Sequence, residues 1–318
     1  MTMPTSNGGV ASTLISIVVP VYNNESSLRE LVTRIAAALA TQAYEVLFVN
    51  DGSRDRSLNI LRELAAENPC VRVISLSRNF GQHPAIGAGF ARARGSHVVL
   101  MDADLQDAPE DIPLLLARLQ QAQAEVAYTV RAGREKGGGS RLTSRLYHYV
   151  FSRIVKADLP QNIGTLRLFT RRVLEAVNAY PEYAAVYGPL MLFIGYKRTF
   201  VEVKHYARAH GKSSYSFMRR LSLAANSLVS YTSVPHTASM VVGISISLAA
   251  LMYAVVLLIQ YVVLGRALPP GLTLVVLLLT LMLGSLMTTL GILGSYVFRV
   301  YQEVLRRPRY HIEESINI

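Results

Sequence analysis

At 318 residues, with 51% hydrophobic side chains and a mean hydropathy of +0.29, the chain can hold one soluble domain of about 200 residues and a second part, and is too apolar to be soluble throughout. A formal charge of +11 suits nucleic acid, an anionic membrane surface or a phosphorylated substrate equally well. The one cysteine, Cys70, excludes an internal disulfide framework. Residues 1–13 lack the basic and apolar regions of a signal peptide and read as a short disordered leader, which leaves the first domain in the cytoplasm.

In chain order, "LISIVV" (14–19) predicts a strand ended by Pro20, and "NNESSLRELVTRIAAALA" a helix with 3.6-residue periodicity. "YEVLFVN" is a second strand, "DGSRDRS" a turn and "LNILRELAAE" a helix. "VRVISL" is the third strand, followed by the helix "HPAIGAGFARARG", closed by Gly95. "SHVVLMD" is the fourth, and "PEDIPLLLARLQQA" opens a helix with proline in its first turn. "AEVAYTV" is the fifth. Apolar strands alternating with helices predict a mostly parallel sheet covered on both faces, with ligands beyond the carboxyl ends of the strands. "RAGREKGGGSRLTSR" reads as a surface connection or a mobile lid, "LTSRLYHYVFSRIV" as a helix, "GTLRLFTRRVLEAV" as strand then helix, and "TFVEVKHYA" as a strand.

The character changes near Phe217. "FMRRLSLAANSLVSYTS" mixes apolar, small and basic residues at helical spacing, suited to a membrane interface. Thr237–Gly265 and Ala267–Phe298 carry no charged residue, and both exceed the roughly 20 residues that cross a bilayer. Arg208, Lys212, Arg219 and Arg220 precede the first stretch, while Arg299, Arg306, Arg307 and Arg309 follow the second. By the positive-inside tendency, both termini are cytoplasmic and the loop at 265–271 is outside. The expected organisation is a catalytic domain over 14–210, a membrane-interface amphipathic region over 211–236, a two-helix transmembrane hairpin over 237–298 and a cytoplasmic tail over 299–318, placed in the inner membrane.

Chemistry concentrates at "MDADLQDAPED". Asp102 and Asp104 flank one alanine directly after an apolar run. That spacing offers oxygen ligands to a hard cation between the protein and a phosphate-rich donor, although a solvated acidic face has the same composition. There is no zinc-type Cys/His cluster and no glycine-rich phosphate motif of the P-loop or dinucleotide-binding type, which argues against NTPase or NAD chemistry.

"ISIVVPVYNNESSL", "VNDGSRDRS", "SRNFGQHPAIGAGFARARG" and "MDADLQDAPE" occur in the order seen in family 2 glycosyltransferases. The chain resembles their polyprenyl-phosphate sugar transferase branch, relatives of dolichol-phosphate mannose synthase. "GTLRLFTRR", "HYARAHGKSSYSFMRR" and the hairpin resemble its bacterial undecaprenyl-phosphate members, over about residues 14 to 310. The resemblance implies a GT-A nucleotide-sugar transferase domain with Mg²⁺ or Mn²⁺ as cofactor. Its partners would be a nucleotide-sugar donor, polyprenyl phosphate and the membrane, with no nucleic acid and a possible homo-oligomer.

Carried over by resemblance, Pro20, Tyr22, Asn23 and Glu25 match the first nucleotide loop, and Asn50 and Asp51 the double-aspartate nucleotide motif. Asp102 and Asp104 match the metal and diphosphate motif. Gln106 and Asp107 match the "QD" that faces the reacting centre, and Arg167 matches a family arginine. Arg208 and Tyr215 match a segment near the membrane acceptor, where Lys212 could attract the lipid phosphate. Ordinary alternatives stand beside these: an Asx-type turn at Asn50 and Asp51, a surface ion pair at Arg78, a helix-start role for His83, and inner-leaflet anchoring by Arg208 and Lys212. Three positions depart from the pattern. Asn50 replaces the first paired aspartate, Thr165 stands where relatives often have the aspartate of "GDFR", and Ser214 replaces the lysine of "SKY".

The implied reaction moves a sugar onto a lipid phosphate, with inversion at the anomeric carbon. A processive polysaccharide synthase fits poorly with two spans and no "QxxRW"-type segment. Use of another membrane lipid and a catalytically inactive membrane scaffold are the remaining alternatives.

Overall fold

A computed structural model describes residues 14–131, 163–180, 186–203 and 271–318, with single positions between 245 and 263. One compact unit comprises Met1–Ser214 and Pro308–Ile318, and Tyr215–Arg307 forms a second.

The apolar runs form strands β1 (Ile15–Val21), β2 (Tyr44–Asn50), β3 (Val71–Leu76), β4 (His97–Leu100) and β5 (Val126–Arg131). Helices α1 (Leu28–Ala38), α2 (Ser57–Glu67) and α3 (Gln82–Phe90) supply the crossovers that parallel neighbours require, and α4 (Ile112–Gln121) precedes β5. Then come β6 (Ile163–Thr170), α5 (Arg171–Asn178), α6 (Tyr187–Ile194) and β7 (Arg198–Val203). Leu28, Leu31, Ile35, Leu61 and Leu115 pack one face of the sheet. Ile86, Phe90, Val173, Leu174 and Leu190 pack a second cluster with Val18, Leu47 and Phe169.

Two strand-end expectations need correction. β1 runs through Pro20 to Val21, because its pairing with β4 ends at Val18–Leu100 and no partner there requires the missing proline N–H. α3 ends at Phe90 rather than at Gly95. Gly95 is needed for close approach instead, since a Cβ there would lie 2.6 Å from the Leu14 carbonyl oxygen.

The sheet has eight strands in the order β7-β5-β6-β4-β1-β2-β3-β8. It is mixed, not mostly parallel as expected. β4, β1, β2 and β3 are mutually parallel, but β6 runs antiparallel to both β4 and β5. The parallel block positions the site. Val21 lies opposite Asn50, and Asn50 opposite Ser75, so three strands deliver their following loops to one edge.

The last strand, β8 (Ile312–Ile316), lies antiparallel to β3. It falls within the stretch expected to be a tail. Asn317 donates to the Ala65 and Val71 carbonyls and accepts from Arg72 Nε, while Ser77 N–H donates to the His311 carbonyl. Tyr310, Ile312 and Ile318 pack against Val49, Ile74 and Leu76.

In the second unit, helix α7 spans Gly271–Leu305, 35 residues, with side chains described at some of its positions. Leu279, Leu283, Leu286, Leu290 and Val297 are exposed. Among the described residues no helix registers as long and apolar enough to cross a membrane, so the expected two-helix hairpin is not found there. The first expected span, the interface region over 211–236 and the Gly-rich segment around 137–139 lie outside the described residues.

Candidate active site

The loops after β1 and β2 hold each other. Asn23, with a positive φ of 55°, accepts from Arg54 N–H at 2.9 Å and donates its own N–H to Ser53 Oγ at 3.1 Å. Glu25 accepts from Arg56 N–H at 2.9 Å. These polar side chains therefore shape the rim, while Tyr22 stands exposed beside it and Pro20 remains in the strand.

Asn50 donates to Ser75 Oγ and accepts from Ser53 N–H, an Asx-type turn at the end of β2. Asp51 is buried, and its two oxygens accept the Phe80 and Gly81 N–H groups at 2.7 and 2.9 Å. Burial raises the Asp51 carboxyl above its ordinary value, against the lowering effect of these two bonds and of Arg78. Gly52, with φ +63°, lets this turn touch the 78–79 backbone: a Cβ would lie 2.5 Å from the Arg78 carbonyl carbon and from the Asn79 nitrogen. Between these loops lies a cleft of about 330 Å³, lined in part by Tyr22, Asn50, Arg54, Ser75, Arg78 and Glu313. The two arginines give it cationic groups suited to phosphate, and the guanidinium of Arg78 lies 4.0 Å from the Phe80 ring centroid.

The acidic motif leaves β4 beside β1, where Met101 N–H donates to the Val18 carbonyl. Ser27, at the start of α1, donates to the Ala103 carbonyl at 2.6 Å and so fixes the turn between Asp102 and Asp104. Asp104 accepts from Gln106 N–H, with Leu105 at φ 60° between them. Asp107 is buried and accepts from the Thr165 hydroxyl. Asp102 accepts from Gln82 Nε2 at 2.9 Å. Burial first, and then the charges of Asp107 and Asp104, push the Asp102 carboxyl up to about 6, with Thr165 and Arg167 opposing. Arg167 enters from β6, opposite Leu100 of β4, and its Nε donates to the Thr165 carbonyl.

Asp102, Asp104, Asp107 and Arg167 thus converge, with Gln106 on the same turn. Asn50 lines the neighbouring cleft, and Asp51 lies between it and Gly52 in the chain, itself outside the lining. Arg208, Lys212 and Tyr215 lie outside the described residues. Among the described residues no group of three or more His, Cys, Asp or Glu side chains is arranged to hold a metal ion. A pair of carboxylates still fits Mg²⁺ or Mn²⁺, hard cations that commonly take one or two protein carboxylates and fill the remaining positions with substrate phosphate and water. The sequence reading missed Gln82, the donor function of Thr165, and Glu313. Gln82 lies inside the quoted "FGQH" run, and Thr165 was visible only as a departure from "GDFR".

Comparison with known proteins decides the family. The family model for glycosyl transferase family 2 matches residues 16–177, from β1 through α5. The chain belongs to glycosyl transferase family 2. This family 2 chain is a glycosyltransferase. It is 37% identical to an undecaprenyl-phosphate 4-deoxy-4-formamido-L-arabinose transferase of Pseudomonas paraeruginosa, over 95% of this chain and 90% of the relative. It is 33% identical to an uncharacterized glycosyltransferase of Synechocystis, over 94% of this chain and 95% of that one. Among solved structures it is similar to glucosyl-3-phosphoglycerate synthase of Mycobacterium tuberculosis, in complex with Mn²⁺, UDP-glucose and phosphoglyceric acid. That match has a TM-score of 0.50 and 17% identity, and covers 69% of this chain and 78% of the other. At that identity the likeness shows the GT-A-like fold alone.

Proposed function

We propose that this glycosyltransferase moves a sugar from a nucleotide-sugar donor to a polyprenyl phosphate such as undecaprenyl phosphate, at the inner leaflet of the membrane. The observation that carries the reading is the extent of the match. The relative named as an undecaprenyl-phosphate transferase is similar over 95% of this chain, well beyond the family 2 region at 16–177.

The amino-acid sequence supports a membrane setting. Thr237–Gly265 and Ala267–Phe298 carry no charged residue, and each stretch exceeds the roughly 20 residues that cross a bilayer. β8 then joins the catalytic sheet. A chain that leaves the catalytic unit, enters a bilayer and returns to that unit crosses an even number of times, as a hairpin requires.

Each part of the site has a task in this reading. The cleft takes the nucleotide, with Arg54 and Arg78 near the phosphates. Asp102 and Asp104 would hold Mg²⁺ or Mn²⁺, which when bound neutralises charge on the departing diphosphate. A lipid phosphate is already an anionic nucleophile, so the protein chiefly has to align its oxygen with the anomeric carbon. Asp107, Gln106 and Arg167 would orient the donor sugar and the incoming phosphate. Direct displacement inverts the anomeric centre. Arg208, Lys212 and Tyr215 are proposed to meet the acceptor phosphate.

The test is a panel of UDP-, GDP- and dTDP-sugars with undecaprenyl phosphate and the full chain in detergent. A lipid-extractable, mild-acid-labile sugar is expected from at least one donor. Transfer only to water or to another lipid, by folded protein, would overturn the acceptor assignment.

A further inference from the structure

The donor cleft is closed on one side by the end of the chain. Glu313 lines it together with Tyr22, Asn50, Ser75 and Arg78. Ser75 pairs with Glu314 and Leu76 with Ile312, so Glu313 is the extra residue of a β-bulge between β3 and β8. A bulge re-aims a side chain that a regular ladder would direct elsewhere. Its neighbour Glu314 is engaged with Arg62 at 2.6 Å. Glu313 makes no hydrogen bond or ion pair among the described residues, although Arg62 lies within its electrostatic reach.

The side chains of Asp51 and Asn50 at this edge are engaged with the protein itself. Both oxygens of Asp51 are taken by the Phe80 and Gly81 N–H groups. The side-chain oxygen of Asn50 accepts from Ser53 N–H, and its amide donates to Ser75. Glu313 is the carboxylate among the described residues lining the cleft. It is held in place by the packing of Tyr310 and Ile312 and by the Arg72–Asn317 contact, while the side chain itself stays exposed.

We propose that Glu313 is a specificity-determining residue of the donor site, accepting a hydrogen bond from a ring N–H of the nucleobase. An ionised carboxylate selects for a donor on the ligand. Uracil, thymine and guanine offer a ring N–H on their pairing edge, and cytosine does not. The inference rests on the cleft being the donor nucleotide site. It adds that the strand following the long apolar helix supplies part of base recognition.

The experiment measures binding of UDP, GDP and CDP by calorimetry to the full chain, to Glu313→Ala and to Glu314→Ala. The parent is expected to prefer UDP or GDP to CDP. Glu313→Ala should weaken the preferred nucleotide about ten-fold or more, as loss of a hydrogen bond to a charged group does, and leave CDP within about two-fold. Glu314→Ala, which breaks only the Arg62 pair, should bind like the parent. Comparable thermal midpoints establish folding, and Glu313→Val, which also lacks a side-chain acceptor, replaces the alanine variant if that one does not fold. An equal loss for all three nucleotides, no loss, or a parent preference for CDP overturns the assignment of Glu313. Binding of none of the three by the parent would instead overturn the reading of the cleft.

Discussion

The Thr165 hydroxyl donates to Oδ2 of Asp107 at 2.5 Å, joining β6 to the turn that follows the acidic motif. Asp107 is buried, so this donor satisfies one of its oxygens and orients the carboxylate beside Asp102. Thr165→Val removes the donor with little change of shape. A hydrogen bond to a charged group contributes about 1.5–3 kcal/mol, so turnover should fall roughly ten-fold or more. Thr165→Ser should retain most of it. Steady-state kinetics that separate kcat from donor KM provide the check. Parent-like turnover in the valine variant would show that Asp107 does not depend on this contact.

Asp102 and Asp104 flank a turn fixed by Ser27, and their carboxylates lie among other negative charges. Asp102→Asn and Asp104→Asn should each lower turnover by about a hundred-fold or more, the scale on which electrostatic stabilisation acts in active sites. Chelation of the parent should have a comparable effect, reversed by Mg²⁺ or Mn²⁺. Turnover across both metal titrations tests this. Full activity of the two variants in chelator would exclude a metal-holding role.

These two contacts mark the limit of what the amino-acid order makes legible. β1 to β5 and their helices are readable because each buries an apolar period of its own. Asp102, Asp104 and Asp107 are readable because they are neighbours in the chain. Thr165 reaches Asp107, and Gln82 reaches Asp102, through strand pairing and a helix start far away in sequence. Local pattern carries no record of such meetings. Strand direction is hidden for the same reason, because β6 resembles any half-buried strand until its antiparallel partners are known. β8 was obscured by composition. "HIEESINI" is charged and short and follows a long apolar run, so its alternation reads as a solvated tail. Asp51 shows the converse: its motif is readable in the chain, but the contacts of both its oxygens with the 80–81 backbone are not.

His83 is largely buried near Arg167 and Tyr187, and its Nδ1 has no hydrogen-bond partner among the described residues. Burial first, and then the positive charge of Arg167, lower its pKa to about 4. In the unfolded chain a histidine titrates near 6.5. Between these values the unfolded state binds the proton and the folded state does not, so stability falls as pH drops from about 6.5 toward 4, by up to about 3 kcal/mol. The raised carboxyl of Asp102 acts in the opposite sense, so the comparison must be made against a variant. Unfolding midpoints of the parent and His83→Gln should diverge below pH 6.5, with the variant losing less. Parallel curves would mean that His83 accepts its proton in the folded protein.

Arg72 is buried, and three elements depend on it. Its guanidinium pairs with Glu45 of β2, donates to the Arg92 carbonyl at 3.3 Å and donates to the Asn317 carbonyl at 3.1 Å. Glu45 in turn accepts from Ser16 of β1 and from Arg94 N–H, so the pair links β1, β2, β3, the turn after α3 and the C-terminal residues. Arg72→Met leaves the Glu45 carboxylate without its counter-charge in a closed environment. Removing one partner of such a pair destabilises by about 3–5 kcal/mol, whereas replacing both with neutral groups often restores much of the loss. Denaturant unfolding should therefore rank the parent first, the double variant Glu45→Gln with Arg72→Met second, and Arg72→Met alone last. The single variant should also bind nucleotide more weakly, because the Asn317 contact that helps place β8 beside the cleft is gone. A double variant less stable than the single would show that the two charges are solvated independently, and that the chain end is held by the β3–β8 ladder without them.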